Sequence, residues 1–489
     1  MTRREHSIDA LRGLAIVGMV LSGSILHGLP GWMYHAQVGP PSYQFTPDVP
    51  GLTWVDLVFP FFLFAMGLAF PFSLRRNLER GVPRKRLVVK VLKRGLKLVF
   101  FAIALAHLSP LHYPGAVGWP KWFIALLAFG GFFMAFCRFP NMEPRRSDRL
   151  NVFGYLFLAG LIIFRSLAFD IPFAAHNHDI IILVLANMAF FGAVIWLYTP
   201  HNWLARLAPL PLYFGVRLTH DISGTWNQAL WNFDPLGWMG QQWSWLHEQL
   251  LAVGIDTSQT IFYHPEYLKY FFIVLPGSII GDILYNHFQT RSRSADHPHS
   301  ISRFKGAVII TVLAVFLNLV GWYARYPVFT LLINLGVGLG LMHLLKHPRD
   351  HFSKALYLIS LWSVFWLILG TVFEAYEGGI KKDPATMSYF FVTCGLSGFL
   401  VIFFKLLYDY FEKTRVLHYL VSVGKNPMVG YVASSFVIMP VVYFLQLRPF
   451  LNSINTYWEW LGLVRGLIVT GAMVALVTFT VRRKYLWKT

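Results

Sequence analysis

Apolar runs of about 20 residues recur from one end of this chain to the other, separated by short segments in which Lys and Arg cluster. That alternation leaves few folds open. A run of this length crosses the hydrocarbon core of a bilayer as a helix, because a helix satisfies its own backbone where water is scarce. Of the 489 residues, 56% are hydrophobic and only 13% charged, against roughly 25% charged in soluble domains. The expectation is an all-α, polytopic integral membrane helical bundle of about 12–14 transmembrane helices, with no separate soluble domain. The net charge of +19 is not read as a nucleic-acid surface, since the basic residues sit in short clusters rather than along one face.

The clusters give the topology. Arg3, Arg4 and Arg12 precede or open a first span at 9–29, which predicts a cytoplasmic N-terminus. That stretch lacks a small-residue cleavage pattern, so it is read as a span and not as a signal peptide. The 30–54 loop holds five prolines and no Lys or Arg and is placed outside. A second span at 54–74 leads into Arg75, Arg76, Arg80, Arg84, Lys85, Arg86, Lys90, Lys93, Arg94 and Lys97, the most basic stretch of the chain, placed inside. Further spans are expected at 95–110, 121–137, 151–168, 180–198, 267–286, 306–323, 328–346, 355–374, 387–410, 427–446 and 459–481. The segment 203–222 reads as a broken or re-entering span because Pro209 and Pro211 interrupt it, and 223–266 as an aromatic external loop. Arg291, Arg293, Arg303, Lys305, Lys346, Arg349 and Lys354 anchor later inside turns, so both termini are expected in the cytoplasm of a multi-pass protein of the cell (inner) membrane.

Cys137 and Cys394 lie in apolar surroundings without metal-ligand spacing. His27, His176, His178, His220 and His247 form no convincing metal pattern either, and no metal is expected. The stretch Tyr34–Gly67 stands out instead, because it puts His35 between two membrane-length segments and carries Asp56 into the second.

The residues in and around that stretch resemble a known family. The run Ser7-Ile8-Asp9-Ala10-Leu11-Arg12-Gly13, the pair His35-Ala36, and the block from Gly51-Leu52-Thr53 through Asp56 and Pro60 to Met66-Gly67 resemble the transmembrane acyltransferases typified by heparan-alpha-glucosaminide N-acetyltransferase. Tyr263-His264-Pro265-Glu266, Pro276-Gly277 with Gly281, Ile380-Lys381-Lys382 with Pro384, Ser388-Tyr389, and Gly424-Lys425-Asn426-Pro427 extend the likeness. Against the family pattern, Ser22-Gly23-Ser24 stands where an asparagine is common, and Leu185-Ala186-Asn187 where Leu-Gln-Arg is usual.

The resemblance implies a single transmembrane acyltransferase-like domain over 1–489, with core spans in 9–110, 180–288 and 355–481 and inserted hairpins at 121–168 and 306–346. It also implies transfer of acetyl from cytoplasmic acetyl-CoA, as co-substrate, to an amino sugar or oligosaccharide acceptor on the outer side, by a homodimer in membrane lipid. His35 is then the candidate base, since neutral imidazole titrates near pH 7, though a lone histidine at a membrane border also serves simply to hydrogen-bond its loop. Asp56 either caps the second span or orients His35. Asp9 and Arg12, three apart on one helical face, pair with each other or meet the CoA head group. Asn426 caps the following span or approaches CoA. Glu266, Lys382 and Tyr389 are interfacial residues or, as a set around His35, hold the sugar. An amino-sugar permease and a catalytically inactive membrane binding protein are the competing readings; a permease is expected to show inverted repeats, and none is visible in the sequence.

Overall fold

The computed structural model describes residues 4–113, 118–290, 301–346, 348 and 350–488. Arg3, Arg291, Arg293 and Arg349, counted above among the basic anchors, lie outside the described residues. The principal helices are α1 (His6–Ser22), α2 (Val58–Phe70), α3 (Arg84–Leu108), α4 (Pro120–Phe136), α5 (Pro144–Phe169), α6 (Ile180–Tyr198), α7 (Trp203–Leu207), α8 (Pro209–Thr219), α9 (Trp226–Trp231), α10 (Pro235–Gln242), α11 (Ser244–Ala252), α12 (Phe271–Thr290), α13 (Ile301–Tyr323), α14 (Pro327–Leu345), α15 (His351–Val372), α16 (Met387–Lys405), α17 (Thr414–Lys425), α18 (Pro427–Phe444) and α19 (Leu461–Arg482). Among the described residues ten helical stretches are long and apolar enough to cross a membrane, and α4 is a shorter apolar helix. The chain is an all-α, multi-pass membrane protein. The one sheet among the described residues is a two-residue antiparallel pairing of Cys137 and Arg138 with Trp487 and Leu486.

Two expectations change in detail. The first helix stops at Ser22, where Gly23, Ser24, Gly28 and Pro30 follow in quick succession. The 223–266 segment, read as a loop, holds the three short helices α9 to α11. Thr225 caps α9 by accepting from the Gln228 N–H, and Asp234 caps α10 through the N–H groups of Leu236 and Gly237, with Pro235 at the first helical position. The interrupted segment 203–222 is two helices, α7 and α8, meeting at Ala208–Pro209.

Contacts divide the chain into two units. The first comprises Met1–Asn77, Phe272–Gly430 and Phe450–Thr478. Its centre is α16, buried along almost its whole length and surrounded by α1, α2, α13 and α15. α1 crosses α17 so closely that Cβ atoms added at Gly13 and Gly424 would collide with the carbonyls of Leu420 and Asp9, which only glycine permits. α2 and α12 approach in the same way: Cβ atoms at Gly277 and Gly281 would come within 2.7 and 2.6 Å of the Phe64 and Leu68 carbonyl oxygens. At the end of α16, Lys405 is enclosed by Glu5 at 2.8 Å and Asp409 at 2.7 Å, fastening the chain start to this helix.

α13 and α14 form a hairpin glued by polar groups. The Asn318 amide donates to Asn334 Oδ1 at 2.7 Å and to the Ala314 carbonyl at 2.8 Å, and Asn334 reaches Thr371 Oγ1 on α15 at 3.4 Å. Asn318→Leu therefore leaves Asn334 Oδ1 without its donor in an apolar setting, and is expected to destabilise the protein by about 1 kcal/mol. Thermal unfolding in detergent reads this out; an unchanged midpoint means the asparagine pair does not hold the hairpin.

The second unit comprises Leu78–Phe271, Tyr431–Pro449 and Phe479–Thr489. α4 and α5 pair as a hairpin beside α3, and Phe101, Phe132 and Phe136 pack edge to face with centroids 5.1 and 5.3 Å apart around Phe101. Trp487 of the tail stacks on Phe136. Asp179 caps α6 through the Ile182 N–H at 3.0 Å and accepts the Tyr431 hydroxyl at 2.8 Å.

Candidate active site

The site begins with a helix that is entered tightly. A 3-10 turn at Val55–Leu57 precedes α2, and it turns the Asp56 carboxylate back toward the preceding loop. Oδ2 accepts from the Thr53 N–H at 2.9 Å, the Thr53 hydroxyl at 3.0 Å and the Ala36 N–H at 3.2 Å. Oδ1 is left for His35 Nδ1, 2.8 Å away. Asp56 thus caps neither its own turn nor α2, and its free carboxylate oxygen faces His35. Its side chain is 2% exposed while that of His35 is 34% exposed. The pair is therefore a buried carboxylate behind an imidazole that still meets the medium. A carboxylate facing Nδ1 favours the tautomer with its proton there, which leaves Nε2 as an acceptor.

Lys382 joins them from the loop before α16, its Nζ 3.2 Å from both imidazole nitrogens. An amine equidistant from both lies along neither lone pair, so it acts on the ring chiefly as a neighbouring amine and charge. Burial pushes the Lys382 amine below its ordinary value, while Asp56 and Asp383 pull in the opposite direction. A base with a lowered folded-state value carries an unfavourable term in full below that value, and sheds it as pH rises toward the unfolded one. Lys382→Met is accordingly expected to stabilise the fold more at neutral than at alkaline pH. Melting midpoints of both proteins across that range check the sign, and an offset that does not shrink with rising pH contradicts it.

The two loops are stapled together. Gln37 donates to the Asp383 carbonyl and to the Pro47 carbonyl at 2.9 Å, and accepts from the Asp383 N–H at 3.0 Å. The Gly51 N–H donates to the Ile380 carbonyl at 2.8 Å, and the Thr53 hydroxyl lies between Asp56 Oδ2 and the Tyr34 carbonyl, 2.7 Å from the latter, sharing one proton between them. Tyr389 is buried, and its hydroxyl donates to the Asp56 backbone carbonyl at 2.8 Å, so it braces the dyad from beneath. Glu266 belongs to the second unit and is paired with Lys269 at 2.5 Å.

Asp9 and Arg12 lie at the opposite end of α1. Asp9 is met by Arg4 Nε at 2.8 Å and by Arg12 at 3.6 Å, while Arg12 also reaches the Gly424 carbonyl at 3.3 Å and the Ala65 carbonyl at 3.5 Å. Asn426 is fully buried where α17 gives way to α18. Of the set Glu266, Lys382 and Tyr389 expected around His35, Lys382 and Tyr389 meet the His35–Asp56 pair, whereas Glu266 pairs with Lys269; the contacts of Gln37, Thr53, Arg4 and the Glu5–Lys405–Asp409 triad are not foreseen from the sequence. A polar pair such as Thr53 and Asp56, three apart at a helix entry, was the available signal. Among the described residues no group of three or more His, Cys, Asp or Glu side chains is gathered to hold a metal ion.

Residues 4–257, which include His35 and Asp56, match the family described as Domain of unknown function (DUF5009). The chain belongs to this family. The DUF5009 match spans about half of the sequence, and Lys382, Tyr389 and Asn426 lie outside it. Heparan-alpha-glucosaminide N-acetyltransferase of Homo sapiens is 32% identical over 118 residues, and the Mus musculus protein of the same name 30% over 118 residues. These alignments cover 24% of this chain and 16% of each relative, so the chain spans about a sixth of the length of the relatives it matches.

Proposed function

We propose that this DUF5009 protein is a membrane acyltransferase that takes acetyl from acetyl-CoA at the cytoplasmic face and passes it to an amino sugar on the other face. The observation that carries the reading is the His35–Asp56 contact of 2.8 Å, with the imidazole reachable and the carboxylate buried. The similarity to a named N-acetyltransferase supports it. In the reaction the acceptor amine attacks the thioester carbonyl, forming the amide C–N bond as the C–S bond breaks. His35 Nε2 receives the proton that the amine loses, and the CoA thiolate leaves to be protonated in turn. Lys382, beside the imidazole, supplies positive charge or a hydrogen-bond donor for the developing oxyanion, and Asp56 holds the ring for the transfer. Asp9, Arg12 and Asn426, at the far end of α1 or α17, are placed in this reading at the CoA side, and the termini in the cytoplasm of the inner membrane.

Asp56→Asn tests the orienting role. An amide that keeps its oxygen toward the two backbone N–H groups and the Thr53 hydroxyl turns its NH2 to His35 Nδ1, and the favoured tautomer is lost; kcat/KM is expected to fall by about 100-fold or more, with a changed pH profile. A variant as active as the wild type, with the same profile, removes Asp56 from the mechanism. The function itself is tested with protein in proteoliposomes, labelled acetyl-CoA on one side and glucosamine or its oligosaccharides on the other. Labelled N-acetyl product across the membrane is the expected result. Acceptor uptake without acetylation instead points to a permease.

A further inference from the structure

We propose that the tip of the α13–α14 hairpin, Trp322 to Tyr326, forms one wall of the acceptor site and holds a second sugar ring, so that the preferred acceptor is an amino-sugar oligosaccharide rather than a monosaccharide. The proposal rests on the acyltransferase reading and names the acceptor of that site. It starts from where the tip lies. A Cβ at Gly31, four residues before His35, would stand 2.6 Å from the Tyr323 hydroxyl. One at Gly51 would stand 3.3 Å from the Ala36 Cβ and 3.7 Å from the Trp322 carbonyl oxygen. Gly51 is also bonded to Ile380, two residues before Lys382. The tip therefore adjoins both loops that bring His35 and Lys382 together.

A second attachment fixes it there. Arg325, in the left-handed region at φ 61°, is paired with Glu374, and a Cβ at Gly379 would come within 2.9 Å of its Nη2. Holding a non-glycine residue in that conformation takes surrounding contacts, which this ion pair and the adjoining loop provide. Exposed rings stand on the anchored tip and on the His35 loop: Tyr323 is 43% exposed, Tyr326 60% and Trp32 46%. Tyrosine and tryptophan faces stack on the apolar faces of sugar rings, while the hydroxyl and N–H edges bond sugar hydroxyls. The chemical fit is to an uncharged or cationic pyranose next to the one that accepts acetyl.

The test uses the full-length protein in detergent, acetyl-CoA, and two acceptors: glucosamine and its β-linked disaccharide. Wild type is expected to show the lower KM for the disaccharide. Tyr326→Ala is expected to raise that KM about tenfold, with kcat, KM for acetyl-CoA and KM for glucosamine each within about twofold. Tyr323→Phe, which keeps the ring and its packing, tests the hydroxyl by the same split. Constants for the two acceptors that move together, or not at all, overturn the subsite while the acyltransferase reading stands. Wild-type protein that acetylates neither sugar overturns both.

Discussion

His35→Ala is expected to lower kcat/KM for acetyl transfer by on the order of 10²–10⁴, the range that a positioned general base contributes. The substitution deletes a side chain that is one-third exposed and touches chiefly Asp56 and Lys382, so the fold is expected to survive it. Binding of CoA, which the reading places at the far end of α1, is expected to stay within about twofold, separating a chemical from a structural loss. Added imidazole is expected to recover part of the rate, since the cavity left by the ring faces the medium. A variant that retains the wild-type rate removes the imidazole from the chemistry, whatever Asp56 does.

Gly424→Val carries the largest expected effect on stability. Its side chain has no room against the Asp9 carbonyl, and the partner is helix backbone, which cannot turn away as a flexible side chain would. Overpacking of this kind costs about 1–3 kcal/mol where neighbours can adjust and more where they cannot. α17 is therefore expected to separate from α1, disturbing the Arg12 contact to Gly424 in the same step. The readouts are the melting midpoint and the fraction of monodisperse protein on gel filtration. Gly424→Ala grades the effect, and a midpoint within 1–2 °C of the wild type for both means that the close crossing does not hold the helices.

Much of this architecture could be read from hydropathy, because a membrane span is the most regular signal a sequence carries. The apolar runs at 54–74, 180–198, 387–410 and 459–481 each became a helix. What hydropathy does not encode is which helices touch. Nothing in the apolar pattern announces that Gly13 faces Leu420, or that Glu5 pairs with a lysine 400 positions away. The site divides along the same line. His35 and Asp56 were visible as polar groups out of place among apolar ones, whereas Gln37 looked like an ordinary loop residue until its bonds to Asp383 appeared. Tyr389 stands out in the sequence by its place in a motif, yet its hydroxyl turns inward to a carbonyl. The segment 223–266 holds no helix of membrane length, and its short helices are legible only in capping residues such as Thr225 and Asp234, which the aromatic composition masks.

The early end of α1 has a consequence for the surrounding lipid. Seventeen residues make a helix of about 25 Å, and a hydrocarbon core is about 30 Å thick. Its first turns also carry Asp9 and Arg12, so the apolar stretch from Gly13 to Leu21 is shorter still. Such a mismatch is relieved by thinning of the adjacent leaflets or by recessing the flanking loop below the headgroups. Either response is expected to bring the loop that carries His35 closer to the hydrocarbon than the end of a longer helix would be. A thin-lipid nanodisc should suit this protein better than a thick one, and bilayer thickness would then act as a control on its turnover.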